Sequence, residues 1–341
     1  MAQATKTKAA TLNDVAEASG VSHQTVSRVI NSSPQVAECT RARVLTAIAE
    51  LGYRPNTAAR QLVTGISRTV GIISFGTHYY GPAQMVRSIE RALKYRGYGF
   101  VFASVDSLEL PEIRGALRDL ERHHVAGLVL ITPLIEVQPK DIQGLCNGLP
   151  FVMIDAPKGA ALPSVLFDQA YGGELATQHL LSLGHRDICE ISGPLTWSGG
   201  LERHQAWLNT LTGAGLTPCR SVEGDWTAAG GYRAAQALLA SKETFTALVV
   251  GNDQMALGAL SALYEANLRV PEDVSVVGFD DVPEARFYSP PLSTVRQDFE
   301  VLGQRSAAAI LDLIETLGTP GQALLRPELV VRSSTASVRG D

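Results

Sequence analysis

Residues 11–31 read TLNDVAEASGVSHQTVSRVIN, a pattern that fits two short amphipathic helices joined by a turn. Thr11 and Asp14 form T-x-x-D, a capping-box start in which each side chain satisfies a free backbone donor. Leu12, Val15 and Ala16 fall at i, i+3 and i+4, on one face. Gly20 suits the left-handed conformation that ends a helix, and Ser22 suits the N-cap of the next. In that second helix Val26, Val29 and Ile30 make the inward stripe. His23, Gln24, Thr25, Ser27, Arg28 and Asn31 are left on the polar side. A short helix with hydrogen-bonding side chains at its N-terminal end fits the major groove, so the segment reads as a helix-turn-helix and duplex DNA is the expected partner.

Val44, Leu45, Ile48 and Leu51 predict a third helix closed by Gly52, after which Tyr53-Arg54-Pro55 breaks the pattern. Asn56 to Leu62 is a further short helix-prone segment. The 341-residue chain carries a net charge of −5, but the sign is unevenly spread: residues 1–64 sum to +3 and the remainder to −8. A mildly basic head on an acidic body suits contact with DNA at one end. One copy would bind weakly, so two copies on two half-sites are expected to supply the affinity.

From about residue 65 the chain alternates apolar runs with helical periods. Strands are expected at 69–74, 99–104, 127–132, 151–155, 188–192, 247–251 and 274–279, with helices such as 82–97, 169–184, 228–240 and 253–267 between them. Continuous β-branched runs indicate strands buried on both faces, hence an α/β body of parallel sheets. In such sheets ligands bind at the carboxyl ends of strands. Phe75, Asp155, Asn252 with Asp253, and Asp280 stand there, Arg203 follows nearby in a helix, and Phe167 and Trp226 offer flat apolar faces. Carboxylates, an amide and a guanidinium beside aromatic rings can bridge sugar hydroxyls and cover C–H faces.

The four cysteines, Cys39, Cys146, Cys189 and Cys219, are scattered and expected to be reduced, buried thiols in a cytoplasmic protein. No apolar run spans a membrane, and the N-terminus lacks the apolar core of a secretory signal. No G-x-S-x-G, phosphate-loop or H-E-x-x-H motif is found. Neither an enzyme, a metal site nor a cofactor is expected.

The stretches TLNDVAEASGVSHQTVSRVIN, LGYRPNTAARQL, LLSLGHRDICEISGP, GDWTAAGGY, LVVGNDQMALGAL, VPEDVSVVGFDD and PPLSTVRQDF together resemble the lactose repressor (LacI/GalR) family of bacterial transcriptional regulators. The resemblance implies a three-helix DNA-binding head at 1–55, a hinge helix and linker at 56–66, and an effector-binding body at 67–341. That body would be two Rossmann-like subdomains of periplasmic-binding-protein type, about 67–166 with 297–325 and about 167–296 with 326–341. The chain would cross between them near Phe167, Val295 and Leu325. On the DNA side, His23, Gln24 and Arg28 would read bases of a pseudo-palindromic operator, while Ser22, Thr25, Ser27 and Asn31 hold phosphates. The hinge helix, with Asn56, Ala59 and a wedging Leu62, would enter the minor groove and fold only on DNA.

In the body the resemblance gives Asp155, Arg203, Asn252 and Asp280 as hydroxyl-binding residues, with Phe167, Trp226 and Gln297 as apolar and bridging ones. Phe75 and Ser107 depart from the family's sugar pattern, which has serine and arginine there. The implied product is a nucleoid-associated cytoplasmic homodimer, released from its operator by a sugar, with a purine or phosphorylated corepressor as the alternative. A tetramer-forming leucine-repeat tail is not expected. Several residues also admit plainer roles. Asp253 suits a helix cap, Asp281 a solvated loop acid, Trp226 the core and Arg203 a surface ion pair. His78, Tyr79 and Tyr80 suit either the cleft mouth or an exposed loop, and His123-His124 a helix end.

Overall fold

The computed structural model describes residues 10–30, 33–53, 67–133, 139–241, 243–316, 318 and 321–338. Asn31 and the expected hinge segment with Asn56, Ala59 and Leu62 lie outside the described residues. The chain divides into two units, Met1–Ser67 and Arg68–Asp341.

The first unit holds three helices: α1 (Leu12–Ser19), α2 (His23–Ile30) and α3 (Glu38–Glu50). The capping box forms as its sequence implies. The Thr11 amide donates to Asp14 Oδ2 at 2.6 Å, and the Asp14 amide donates to Thr11 Oγ1 at 3.3 Å. Gly20 closes α1 at φ 65°, a left-handed conformation that costs glycine nothing. The Thr25 amide donates to Ser22 Oγ at 3.2 Å, which caps α2. Val15, Ala16, Val26, Val29, Val44 and Ala47 make the core, with Leu12, Ile30 and Ile48 packed against it. Leu45 and Leu51, expected on the inward stripe of α3, are exposed at 52% and 39%. Each directly follows or outlasts an inward position, so the 100° step per residue turns Leu45 away from the core beside Val44.

The second unit contains two six-stranded sheets. The first comprises β1 (Thr69–Phe75), β2 (Gly99–Val105), β3 (Gly127–Ile131), β4 (Phe151–Ile154), β5 (Ser164–Phe167) and β11 (Gln322–Leu325). The second comprises β6 (Ile188–Ser192), β7 (Ser221–Glu223), β8 (Ala247–Val250), β9 (Ser275–Asp280), β10 (Ser293–Arg296) and β12 (Glu328–Val330). Their orders, β11-β5-β4-β3-β1-β2 and β12-β10-β9-β8-β6-β7, repeat one doubly wound plan. Every pairing is parallel except β10 with β12. The antiparallel β12 is a departure from the all-parallel expectation: β11 ends at the carboxyl edge of the first sheet, and two residues later β12 enters the second sheet from its carboxyl edge, with no helix between to carry the chain back.

Helices cover the sheets: α4 (Tyr80–Tyr95), α5 (Leu110–Glu121), α6 (Pro139–Cys146) and α11 (Phe299–Thr316) beside the first, and α7 (Gln169–Ser182), α8 (Ser198–Gly213), α9 (Ala228–Ala240) and α10 (Asp253–Glu265) beside the second. The chain passes from one sheet to the other between Phe167 and Gln169, between Arg296 and Phe299, and between Leu325 and Glu328. β3 and β4 are buried at every position, which accounts for their unbroken apolar sequences GLVLI and FVMI. β5, β7, β10 and β11 were not expected as strands. They are three or four residues long and carry no apolar run long enough to register.

All four cysteines are free thiols; Cys146 and Cys189 are buried, Cys219 is partly buried, and Cys39 is exposed, contrary to the expected burial. No helix among the described residues is long and apolar enough to cross a membrane.

The capping geometry yields a direct test. Thr11→Ala should destabilise the head by about 1 kcal/mol, the usual value of an N-cap side chain. Chemical denaturation of residues 1–67 followed by circular dichroism checks this; an unchanged midpoint would contradict it.

Candidate ligand cleft and recognition helix

On α2 the outward residues are those set apart by the sequence. Ser22, His23, Gln24 and Arg28 are exposed, and Thr25 and Ser27 are partly buried, while Val26 and Val29 are buried beneath them. Ser22 Oγ and Thr25 Oγ1 lie 3.0 Å apart, so both hydroxyls already serve the helix start. Arg28 in the last turn also complements the helix dipole.

In the second unit the carboxyl ends of both sheets converge on one cleft. The first sheet and its loops supply Tyr79, Tyr80, Ile131, Pro133 and Asp155; the second supplies Trp197, Arg203, Trp226, Asn252 and Asp280, with Gln169 and Gln297 at the crossovers.

Arg203, on α8, is the central cation. Its Nε donates to Gln169 Oε1 at 2.9 Å and its Nη1 to the Gly251 carbonyl at 2.6 Å. Its Nη2 lies 4.0 Å from Asp280 Oδ1, and its guanidinium sits 3.6 Å from the Phe279 ring centre and 5.5 Å from that of Trp226. Burial lowers its pKa against the opposing pull of Asp280 and Asp155. Arg203 is therefore a buried cleft residue, not the partner of a surface acid.

Two carboxylates face this cation. Burial outweighs the attraction of Arg203 and raises both Asp155 and Asp280 from 3.8 to about 6. Asp280 accepts from Gln297 Nε2 at 2.7 Å, whereas the buried Asp155 Oδ1 has no hydrogen-bond partner among the described residues. The same holds for the buried Trp226 Nε1. Asp155, Trp226 and Asp280 all adopt positive φ, at 59°, 66° and 110°. Strained backbone of this kind at strand ends is typical of positions fixed by function. Trp226 depends on Gly193: a Cβ there would fall 1.9 Å from the indole Cη2.

Other expected site residues take different roles. Phe167 does not line the cleft. It is 3% exposed and packs edge-on against Phe299 with centroids 5.6 Å apart, because the strand pleat turns it with Val165 into the core between sheet and helices. Phe75 stands behind the lining, 5.2 Å from the Trp197 ring. Asn252 lines the cleft but its amide is engaged: Oδ1 caps α10 by accepting from the Met255 amide, and Nδ2 donates to the Trp226 carbonyl and Gln254 Oε1. Gln297 is likewise engaged on both sides. The cap is thus Asn252, not Asp253, which is fully buried and accepts from Thr294 Oγ1 and the Val282 amide. Asp281 is no solvated loop acid; it bridges Arg296 and Arg332. Ser107 donates to Glu112 at the start of α5.

Sequence reasoning missed Trp197 and Gln169. Trp197 follows β6 at its carboxyl end, so the strand-end rule that found Asp155 would have found it. Gln169 follows β5, a strand too short to be seen. Among the described residues no group of three or more His, Cys, Asp or Glu could hold a metal ion.

Comparison with known proteins accords with this geometry. Residues 11–56 match the model of the bacterial regulatory proteins of the lacI family, and residues 177–335 match a periplasmic binding protein-like domain. The chain is 36% identical over 328 residues to the lactose operon repressor of Escherichia coli K12, covering 96% of this chain and 91% of that one. It is 35% identical over 335 residues to the HTH-type transcriptional repressor PurR of Yersinia enterocolitica, covering 96% and 97%. Among solved structures, a lac repressor dimer bound to operator and the anti-inducer ONPF matches with a TM-score of 0.89 at 36% identity, covering 96% of this chain and all of that one. A complex of the transcriptional regulator CelR with cellobiose matches with a TM-score of 0.70 at 34% identity, covering 95% and 99%.

The raised carboxyl pKa values have a definite consequence for stability. Between about pH 4 and 6 the folded cleft holds protons on Asp155 and Asp280 that the unfolded chain has released. Their contribution is therefore most favourable below the unfolded value and is lost as pH rises through about 6. Relative to the Asp155→Asn/Asp280→Asn variant, the wild type should lose melting temperature as pH is raised from 4 to 7. A difference in melting temperature that stays constant across that range would contradict the assignment.

Proposed function

The chain belongs to the lacI family of bacterial regulatory proteins and is a DNA-binding transcriptional repressor, and from that premise we propose that its cleft binds a neutral sugar which releases it from its operator. The observation that carries this reading is the arrangement of Asp155, Arg203 and Asp280. A carboxylate from one sheet faces a guanidinium and a carboxylate from the other across a single cleft. Vicinal hydroxyls both donate and accept, so one sugar ring can satisfy Asp155 Oδ1, the free acceptor of Asp280 and the Arg203 donors together. Trp226 and Trp197 supply flat apolar surface for its C–H faces.

Charge argues against a phosphorylated ligand. Two carboxylates against one guanidinium leave the cleft with an excess of negative charge once both are ionised. A purine corepressor is the competing reading, favoured by the relatives named PurR. Its ring carries fewer donors for two carboxylates than a sugar does.

The release mechanism is linkage. A sugar held by both sheets selects the angle at which it fits, and it changes operator affinity only by its differential affinity for the two arrangements, typically about 1–3 kcal/mol. We place the protein in the cytoplasm as a homodimer on a pseudo-palindromic operator, each head reading one half-site through His23, Gln24 and Arg28, with Ser22, Thr25, Ser27 and Asn31 on phosphates. Leu257 and Tyr264, two turns apart on α10 and exposed at 44% and 82%, offer apolar surface for the partner subunit. Residues 56–66 would act as the hinge between head and body.

Asp280→Ala provides the test. Operator binding should be retained to within about fivefold of wild type, the value of one lost hydrogen bond, while the response to sugar is lost, because the substitution removes a ligand contact and leaves the residues of α2 unchanged. Fluorescence anisotropy of labelled operator with and without glycoside measures both. A variant that still responds fully to sugar would contradict the reading.

A further inference from the structure

We propose that Gln169 and Gln297 are positioning residues that tie the ligand-binding groups of the cleft to the angle between the two sheets; this rests on the reading of the cleft as a ligand site. Gln169 opens α7 just after the first crossover, and Gln297 follows β10 at the second. Both are buried, at 6% and 5% exposure. They meet each other, with Gln169 Nε2 donating to Gln297 Oε1 at 3.0 Å.

The bond is one link of a directed circuit. Arg203 Nε donates to Gln169 Oε1 at 2.9 Å, Gln169 donates to Gln297, and Gln297 Nε2 donates to Asp280 Oδ1 at 2.7 Å. Asp280 returns to Arg203 Nη2 at 4.0 Å. Its two ends are thus the charged groups that would grip a ligand, and its middle is a bond between two of the three segments joining the sheets. Any rotation of one sheet against the other changes backbone dihedrals at residues directly beside both glutamines. The amide-to-amide bond fixes two of the crossover segments to each other beside that hinge. Buried amides that lose a partner do not regain one from solvent, so the circuit favours the present angle. A ligand that pulls on Arg203 and Asp280 acts on both ends of the circuit, and either reinforces that angle or releases it. This is a physical two-state element biased from the cleft, which is what coupling between sites requires.

The test uses the full-length protein and its own tryptophans. Of the three, Trp207 is buried and Trp226 nearly so, whereas Trp197 is partly exposed and touches Phe75 and Tyr79 from the opposite sheet's loop. Acrylamide quenching of Trp197 therefore reads opening of the cleft, with Trp197→Phe identifying its share of the signal. Gln169→Leu and Gln297→Leu should each shift the open-to-closed ratio about fivefold, the value of one hydrogen bond. The double variant should fall short of the sum of the two singles, since the Gln169–Gln297 bond is lost in both. If a leucine variant fails to fold, Gln169→Glu keeps the acceptor for Arg203 and removes only the donor to Gln297, with the same expected opening. Unchanged quenching in these variants, or melting temperatures that fall additively without any change in quenching, would overturn the proposal. The same assay with glucosides, galactosides and xylosides separates the two readings. A wild type that no glycoside protects counts against the sugar, while opening in the glutamine variants still supports the hinge.

Discussion

A buried guanidinium between two carboxylates organises the second unit. Arg203 reaches the cleft from the second sheet, Asp155 stands at the end of the first, and Asp280 ends a central strand of the second. A buried charge is tolerated only when neighbours compensate it, and here they do so from several elements at once. Phe279 and Trp226 offer ring faces, Gly251 a carbonyl and Gln169 an amide oxygen. The positive φ of Asp155, Trp226 and Asp280 shows that backbone comfort yields to this arrangement. Aromatic contacts then continue outward from Trp226 through Trp197 to Tyr79 and Phe75, joining loops that follow strands of both sheets.

The two units of the chain rest on different physics. The head is local: a capping box, a left-handed glycine and a small apolar core hold three helices made from forty consecutive residues. The body is non-local, since its cleft gathers residues from Tyr79 to Gln297 and its sheets are threaded three times. That difference matches the division of labour proposed for them. A self-contained head can read DNA as a fixed surface, while a body made of two linked sheets can change its angle.

The same difference governs what the sequence discloses. Helix caps, apolar stripes and the turn of the head depend on neighbours three or four residues away, so the pattern of 11–31 carries them. The long buried strands are equally plain, because both faces demand apolar residues. The sequences SVLF, SVE, STVR and QALL are too short and mixed to stand out, although three of these strands adjoin the crossovers that define the architecture. In the cleft, the strand-end rule marks Asp155, Asn252 and Asp280, but it cannot say which side chains are already spent. Asn252 is engaged as a cap, and Phe167 is turned by the pleat into the core. The engagement of Gln169 with Gln297 joins residues 128 positions apart, a pairing that no local pattern encodes.

The central claim is that the cleft holds a neutral sugar. The most direct measurement is thermal unfolding of the protein against a panel of galactosides, other disaccharides, pentoses, purines and sugar phosphates. A ligand present at 100 times its dissociation constant stabilises the folded state by about 2.7 kcal/mol, which is readily seen. The account predicts a shift with a neutral glycoside, weakening below pH 6 as Asp155 and Asp280 take up protons. A shift confined to purines or phosphorylated compounds would contradict it.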